Sequence, residues 1–374
     1  MGGSEGMSEV VGRARGMREL VGELAEAGRV EEARGGYEKL KVLACEHPEE
    51  AGVRKELAAA GFGVVYGYVQ ARKSGEARLV YEEVKALSRE HAEERSLRRL
   101  RAQAGFNLAV MYGETGQDEE MRAIYEELKV LASGPEGEPL LRELQAKSGF
   151  NLSAGYVRAE RLDEAEAIDA ELRVLADGNR EEAFLREVLA RARYNLCNAR
   201  IRANELGRAL AKYEDIKALA REYPGEAGLR ELQGMAGSDL VCGLGGAERL
   251  EDARRVYGEM RELSREHAGD TGLREQRAKA GVNLAAAYGR AGQPEGAKAV
   301  YEEMKTLARE HDGETALRKW EANAALNLVI AYGEAGRFEE ACAIYYDLAE
   351  SAKVHDDEAV REVLSEVREM LWGE

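Results

Sequence analysis

Proline and cysteine are scarce in this 374-residue chain, at five and four residues, and aromatic residues make up only 6% of it. So little proline leaves long segments free to run as uninterrupted helix. β-branched residues are sparse beside Ala, Glu, Leu and Arg, which argues against a sheet. Cys45, Cys197, Cys242 and Cys342 lie far apart with no CxxC spacing, so they read as reduced thiols in the cytosol. No stretch approaches about 18 consecutive apolar residues, which excludes a membrane-spanning helix. The opening MGGSEGMSEVVGRARG lacks the apolar core of a signal peptide. Gly2 is placed for myristoylation, but Gly6 stands where that signal needs Ser or Thr. Positive charge is short as well. Basic residues number 54 against 71 acidic, a net charge of −17, the wrong balance for a surface that displaces counterions from DNA or RNA.

What the chain has instead is a period. Tyr37, Tyr81, Tyr125, Tyr213, Tyr257, Tyr301 and Tyr345 are spaced by 44 residues or a multiple of 44, and Asp169 fills the one gap. Four residues before each place stands Ala33, Ala77, Ala165, Ala209, Ala253, Ala297 or Ala341, with Met121 the exception. An earlier apolar place repeats at Leu20, Val64, Leu108, Leu152, Leu196, Leu240, Leu284 and Leu328. Eight gapless units cover residues 5–356, preceded by a tail at 1–4 and followed by an amphipathic segment, 357–374, whose Val360, Val363, Leu364, Val367 and Leu371 are expected to cap the last unit. No such extra helix precedes unit one, which leaves an edge for self-association or a frayed end.

Each unit reads as two helices. In the third, Leu97, Leu100, Ala104, Leu108 and Met111 share one face of a helix over 95–114, and Ile124, Tyr125, Leu128 and Leu131 make the stripe of a second over 118–131. Gly116 ends the first helix, and Asn204 holds the same place in the fifth unit, as the left-handed residue of a helix stop requires. Arg72, Glu160 and Glu248 stand there in other units, so tighter or altered turns are expected at those three. A single pair of this size cannot bury its own apolar face, and the units must stack.

Leu284, Ala285, Tyr288, Gly292, Ala297 and Tyr301, and again Leu328, Val329, Tyr332, Gly336, Ala341 and Tyr345, resemble the spacings of the tetratricopeptide repeat. That family's unit has about 34 residues, so this one is longer by about ten, and it lacks the closing proline. The resemblance covers essentially the whole chain. It implies an all-α, right-handed α-solenoid of helix–turn–helix repeats, protein binding, and a concave groove lined by first helices.

Several periodic features look like chemistry. His47, His91, His267, His311 and His355 all occupy the same place, at the end of a second helix, where an imidazole can bond free carbonyls. Equivalent places in neighbouring units lie about 10 Å apart, too far for one metal ion with about 2 Å bonds. Arg54, Arg98, Arg142, Arg186, Arg230, Arg274 and Arg318, one per unit, are expected to pair with the neighbouring unit. Gly61, Gly105, Gly149, Gly237 and Gly281 inside first helices are expected to let neighbouring first helices approach closely. No phosphate loop, nucleophile–base set or metal constellation emerges, so no enzyme, no cofactor and no metal is expected.

By the resemblance, the residue before the motif leucine points into the groove. It is Asn107, Asn151, Asn195, Asn283 and Asn327, with Asp239 in the sixth unit and Glu19 and Gly63 in the first two. An amide offers both donor and acceptor, and rungs about 10 Å apart meet every third residue of a strand rising about 3.3 Å per residue. The asparagines read as a ladder for an extended peptide backbone, or as bonds between neighbouring helices. Lys147, Arg191 and Lys279 precede the Asn by four, and Arg158, Arg202 and Arg290 follow it by seven, so each trio shares a face. That stripe points to an acidic segment; the alternative is a solvated helix face. Lys147, Arg191, Asn151 and Asn195 match part of the family's carboxylate clamp. Phe106, Phe150 and Tyr194 stand where it wants lysine, and Val110 and Ala154 where it wants a second Asn. With Phe62 and Tyr66, these aromatics form an apolar wall or pack first helices together.

The expected function is a non-catalytic, cytoplasmic protein-interaction scaffold that binds an extended acidic peptide, with no membrane or nucleic-acid partner. The alternatives are a self-assembling structural solenoid and an RNA-binding helical repeat of the pentatricopeptide kind.

Overall fold

The computed structural model describes residues 2–133, 138–354 and 358–373. Among them are 17 helices and no strand. First helices are α1 (Gly2–Glu26), α3 (Ala51–Gln70), α5 (Arg95–Glu114), α7 (Pro139–Arg158), α9 (Ala183–Arg202), α11 (Ala227–Gly246), α13 (Thr271–Arg290) and α15 (Thr315–Glu334). Second helices are α2 (Val30–Glu46), α4 (Ser74–Glu90), α6 (Asp118–Ala132), α8 (Leu162–Asp177), α10 (Leu206–Glu222), α12 (Leu250–Glu266), α14 (Pro294–Glu310) and α16 (Phe338–Val354), and α17 (Glu358–Trp372) follows. The fold is an all-α helical-repeat solenoid.

Two compact units divide the chain within α9, at Met1–Leu189 and Ala190–Glu374. In the first, α1, α3, α5 and α7 pack side by side, and each of α2, α4 and α6 sits against the first helix before it and the one after it. The second repeats this with α11, α13 and α15, and α17 packs on α15 and α16. A first helix therefore has neighbours on most sides. Its small residues fit that place: Ala58, Ala60, Gly61, Val64 and Val65 of α3 are all buried. A second helix shows one apolar stripe to the stack and a charged face to solvent, as Ala253, Val256, Tyr257 and Met260 do on α12.

The turns within pairs are more uniform than their sequences. Gly28, Gly116, Gly292 and Gly336 are left-handed, and so are Arg72, Glu160, Asn204 and Glu248, with φ of 56–60°. In every pair the following N–H bonds the carbonyl five residues back, as Gln117 does to Tyr112 and Lys73 to Tyr68. The expected alteration at Arg72, Glu160 and Glu248 does not occur. The surrounding bonds fix the turn, and the side chain bears the strain.

Two packing expectations also change. Leu20, placed with the buried Leu108 series, is 54% exposed, and Val21 is buried instead. No helix pair precedes α1 among the described residues, so that place faces solvent. The first-helix glycines do not serve approach between first helices. A Cβ on Gly105 would lie 3.1 Å from the Tyr81 ring, and one on Gly61 would lie 3.1 Å from the Tyr37 ring and 2.5 Å from Val84. They make room for side chains of the second helices on either side: the period-setting tyrosine of the preceding one at Gly61, Gly105, Gly149 and Gly237, and Val84, Leu172, Met260 or Met304 of the following one at Gly61, Gly149, Gly237 and Gly281. First helices come close elsewhere, where a Cβ on Gly245 would lie 2.7 Å from Ala287.

Candidate functional site

Arg54, Arg98, Arg142 and Arg274 pair with the neighbouring unit as expected, whereas Arg230 bonds the Pro224 carbonyl behind it and its buried Nε has no partner among the described residues. Arg54 Nε donates to Glu94 at 2.8 Å, Arg142 Nε to Glu182 at 2.9 Å and Arg274 Nε to Glu314 at 3.2 Å, each acid opening the next first helix. Their other nitrogens cap the loop behind, as when Arg98 donates to the Ala92 carbonyl at 2.9 Å. His47, His91, His267 and His311 are the C-cap residues of α2, α4, α12 and α14. The capping is done by their main chain rather than by the imidazole: their N–H bonds back into the helix, and the His91 carbonyl accepts from Glu94 at 3.0 Å. His355 lies outside the described residues. One group of potential metal donors, His91, Glu93 and Glu94, comes together among the described residues, and Arg54 already neutralises its Glu94 at 2.6 Å.

A second ladder joins successive second helices, and sequence reading missed it. Lys41 Nζ lies 3.0 Å from Glu83, Lys85 2.7 Å from Glu127, Lys129 2.7 Å from Glu171 and Lys217 2.8 Å from Glu259. The hydroxyls of Tyr81, Tyr213 and Tyr301 donate to the same acids, Glu127, Glu259 and Asp347, at 2.8, 3.1 and 2.7 Å. Burial pushes the Glu127 carboxyl up, but hydrogen bonds from Lys85, Tyr81 and Arg101 outweigh it and hold the group below the usual carboxylate range. Each acid thus ties its pair to the previous one. The available signal was an acid 42 residues after a lysine, which has no meaning until the pairs are stacked.

The five asparagines sit at the middle of α5, α7, α9, α13 and α15, all half-buried. Asn327 Nδ2 donates to the Val282 carbonyl of the preceding first helix at 3.1 Å. Among the described residues, the side chains of Asn107, Asn151, Asn195 and Asn283 make no hydrogen bond to the protein. Phe62, Phe106 and Phe150 are half-buried, and Tyr66 is exposed. Asp239, in the Asn place of α11, accepts from Tyr194 at 3.0 Å, Asn198 at 3.2 Å and Lys279 at 3.0 Å.

The basic stripe is partly neutralised where it stands. Lys147 lies 2.6 Å from Glu143 and 5.5 Å from the centre of the Phe184 ring, and Lys279 is held by Asp239. Arg158 donates to the Gly113 carbonyl at 3.0 Å. Arg191, Arg202 and Arg290 are exposed. No helix among the described residues is long and apolar enough to cross a membrane.

The model of one family, the PPR repeat, matches residues 283–307, which run from the second half of α13 into α14. A search of curated proteins finds no match. Solved structures similar to this chain include the apo form of RapI, at 12% identity and a TM-score of 0.41, with 96% of each chain covered. Aspartyl phosphate phosphatase F from Bacillus subtilis aligns at 10% identity and a TM-score of 0.41, covering 96% of this chain and 95% of its own. A Rap protein complexed with competence and sporulation factor aligns at 11% identity and a TM-score of 0.33, covering 96% and 99%. With its stacked helix pairs and uniform left-handed turns, the chain is an all-α helical-repeat protein, one stretch of which, 283–307, matches the PPR repeat.

Proposed function

We propose that this chain is a non-catalytic scaffold that binds an extended peptide segment of a partner protein along its first helices. The observation that carries this reading is the set of unpartnered amides. Asn107, Asn151, Asn195 and Asn283 hold donor and acceptor groups at equivalent places without using them internally, while Asn327 shows the internal bond such a residue can make. Half-buried Phe106 and Phe150 stand one residue before the Asn on α5 and α7, and supply apolar contact beside each amide. Arg202 and Arg290, exposed seven residues beyond their Asn, favour an acidic segment. The four cysteines are free thiols, consistent with a cytoplasmic setting.

The test compares binding by wild type and by a variant with Asn151, Asn195 and Asn283 changed to Ala, using pull-down followed by titration of the recovered partner's peptides. Partners lost with the variant support the ladder. The same set on both baits sinks it. The repeat match at 283–307 keeps an RNA-binding reading of the pentatricopeptide kind as the second one. A mobility shift with single-stranded RNA at modest salt decides it, and the net charge of −17 predicts no shift.

A further inference from the structure

Clefts open between the C-terminal ends of successive second helices, each floored by the first helix between them. Three are described at equivalent places: between α6 and α8, α10 and α12, and α12 and α14. Their volumes are about 610, 310 and 350 Å³. Their rims differ as well. The α10–α12 rim carries Arg221, Glu262, Glu266 and His267. At the same four places the α6–α8 cleft has Ser133, Val174, Gly178 and Asn179, which are smaller and uncharged.

What remains inside is balanced in charge. Lys129 lies 2.7 Å from Glu171, and Arg142 Nε lies 2.9 Å from Glu182, so neither cation asks for an anion. Ala132, Ala170 and Leu175 make apolar walls with Val174. On the floor, Gln145 is only 5% exposed and turns an amide with four hydrogen-bonding positions toward the cleft. The nearby Tyr125 hydroxyl, like that of Tyr257 on α12, is buried without a close hydrogen bond and faces Glu171 and Gln145, whereas those of Tyr81, Tyr213 and Tyr301 donate to the ladder acids. Arg122 and Lys129 already occupy Glu171, at 3.0 and 2.7 Å. A cavity of this size, mostly apolar with a few convergent polar groups, has the makeup of a small-molecule site, for which volumes run from about 300 to 1,000 Å³.

We propose that the α6–α8 cleft binds a small, neutral organic molecule, with an apolar body between Ala132 of α6 and Ala170, Val174 and Leu175 of α8 and one hydrogen-bonding head group on Gln145. The site shares no residue with the asparagine ladder and does not depend on it.

The experiment is a fluorescence titration of the full chain with N-phenyl-1-naphthylamine, a neutral apolar probe. Wild type is expected to bind it saturably at one site. Val174→Glu and Ser133→Arg rebuild the charged rim of the α10–α12 cleft, and each is expected to weaken binding about tenfold. Both positions are exposed, so the variants fold, which circular dichroism checks. Leu79→Glu removes an apolar side chain of similar exposure, 67%, from another second helix and leaves binding unchanged. Binding that does not saturate overturns the proposal. So does equal affinity in Val174→Glu and Ser133→Arg, or an equal loss in Leu79→Glu. Tighter binding of the anionic 1-anilinonaphthalene-8-sulfonate than of the neutral probe overturns the assignment of a neutral ligand.

Discussion

A left-handed backbone costs an ordinary L-residue about 1–2 kcal/mol, and Arg72, Glu160 and Glu248 all accept that cost. Replacing any one of them with Gly is therefore expected to stabilise the protein by about 1 kcal/mol, read as a higher urea midpoint at unchanged slope. No change would mean that the side chain contributes elsewhere. Glu321 carries a different strain. It stands where Arg101 and Arg277 donate to Glu127 and Glu303 in earlier pairs. Burial pushes its carboxyl up to about 7, with Asp347 adding to the rise and Lys305, Arg309 and Arg318 opposing it. A carboxyl raised on folding binds its proton more tightly in the native state, so its contribution falls as pH climbs from 4.5 to about 7. Glu321→Gln is expected to stabilise the protein at pH 8 by up to about 3 kcal/mol and to do little at pH 4. Thermal melts at the two pH values decide this. The arginine-to-glutamate change could be seen in the sequence. Its meaning could not, because the acid it faces belongs to another helix.

At the scale of helices, much was readable before any coordinates. The α5 limits, the glycine and asparagine stops and the pairing of Arg54, Arg142 and Arg274 with the following unit all follow from spacing. Spacing shows which residues share a face but not which neighbour that face meets. Nothing in the spacing sets the first-helix glycines against side chains of second helices rather than of first ones. For the same reason the paired state of Lys147 and Lys279 was invisible: Glu143 and Asp239 become partners only through a helical turn and a neighbouring helix. The lysine–acid ladder gives a direct test. Glu127→Ala removes the acceptor of Lys85, Tyr81 and Arg101 at once. It is expected to cost about 2–3 kcal/mol, more than Lys85→Ala, and a double-mutant cycle should show coupling between the two. Additive losses would mean that the ladder only accompanies the packing. Gly61→Ala drives a methyl toward Val84 and the Tyr37 ring and is expected to cost about 1–3 kcal/mol, measured by denaturant unfolding.

For the whole molecule, the ladder sets the response to acid. Glu83, Glu127, Glu171 and Asp347 are held below the usual carboxylate range: burial raises each, and the hydrogen bonds of lysine, arginine or tyrosine outweigh it. A carboxyl lowered on folding contributes stability that is complete above its unfolded value, 4.5 for Glu, and is lost as pH falls through the lowered native one. With Glu321 acting in the opposite sense, stability is expected to peak between pH 5 and 7, checked by urea midpoints across that range. The interval of the ladder has a consequence for how such a chain can change length. Each lysine meets an acid 42 residues later, two short of the interval between successive tyrosines. Within a run of these pairs, removing or duplicating one full tyrosine-to-tyrosine interval still brings every lysine to an acid of the same kind, wherever the cut falls. Any other length leaves a charge without its counterpart, so the ladder acts as a ruler that passes gains and losses only in whole helix pairs.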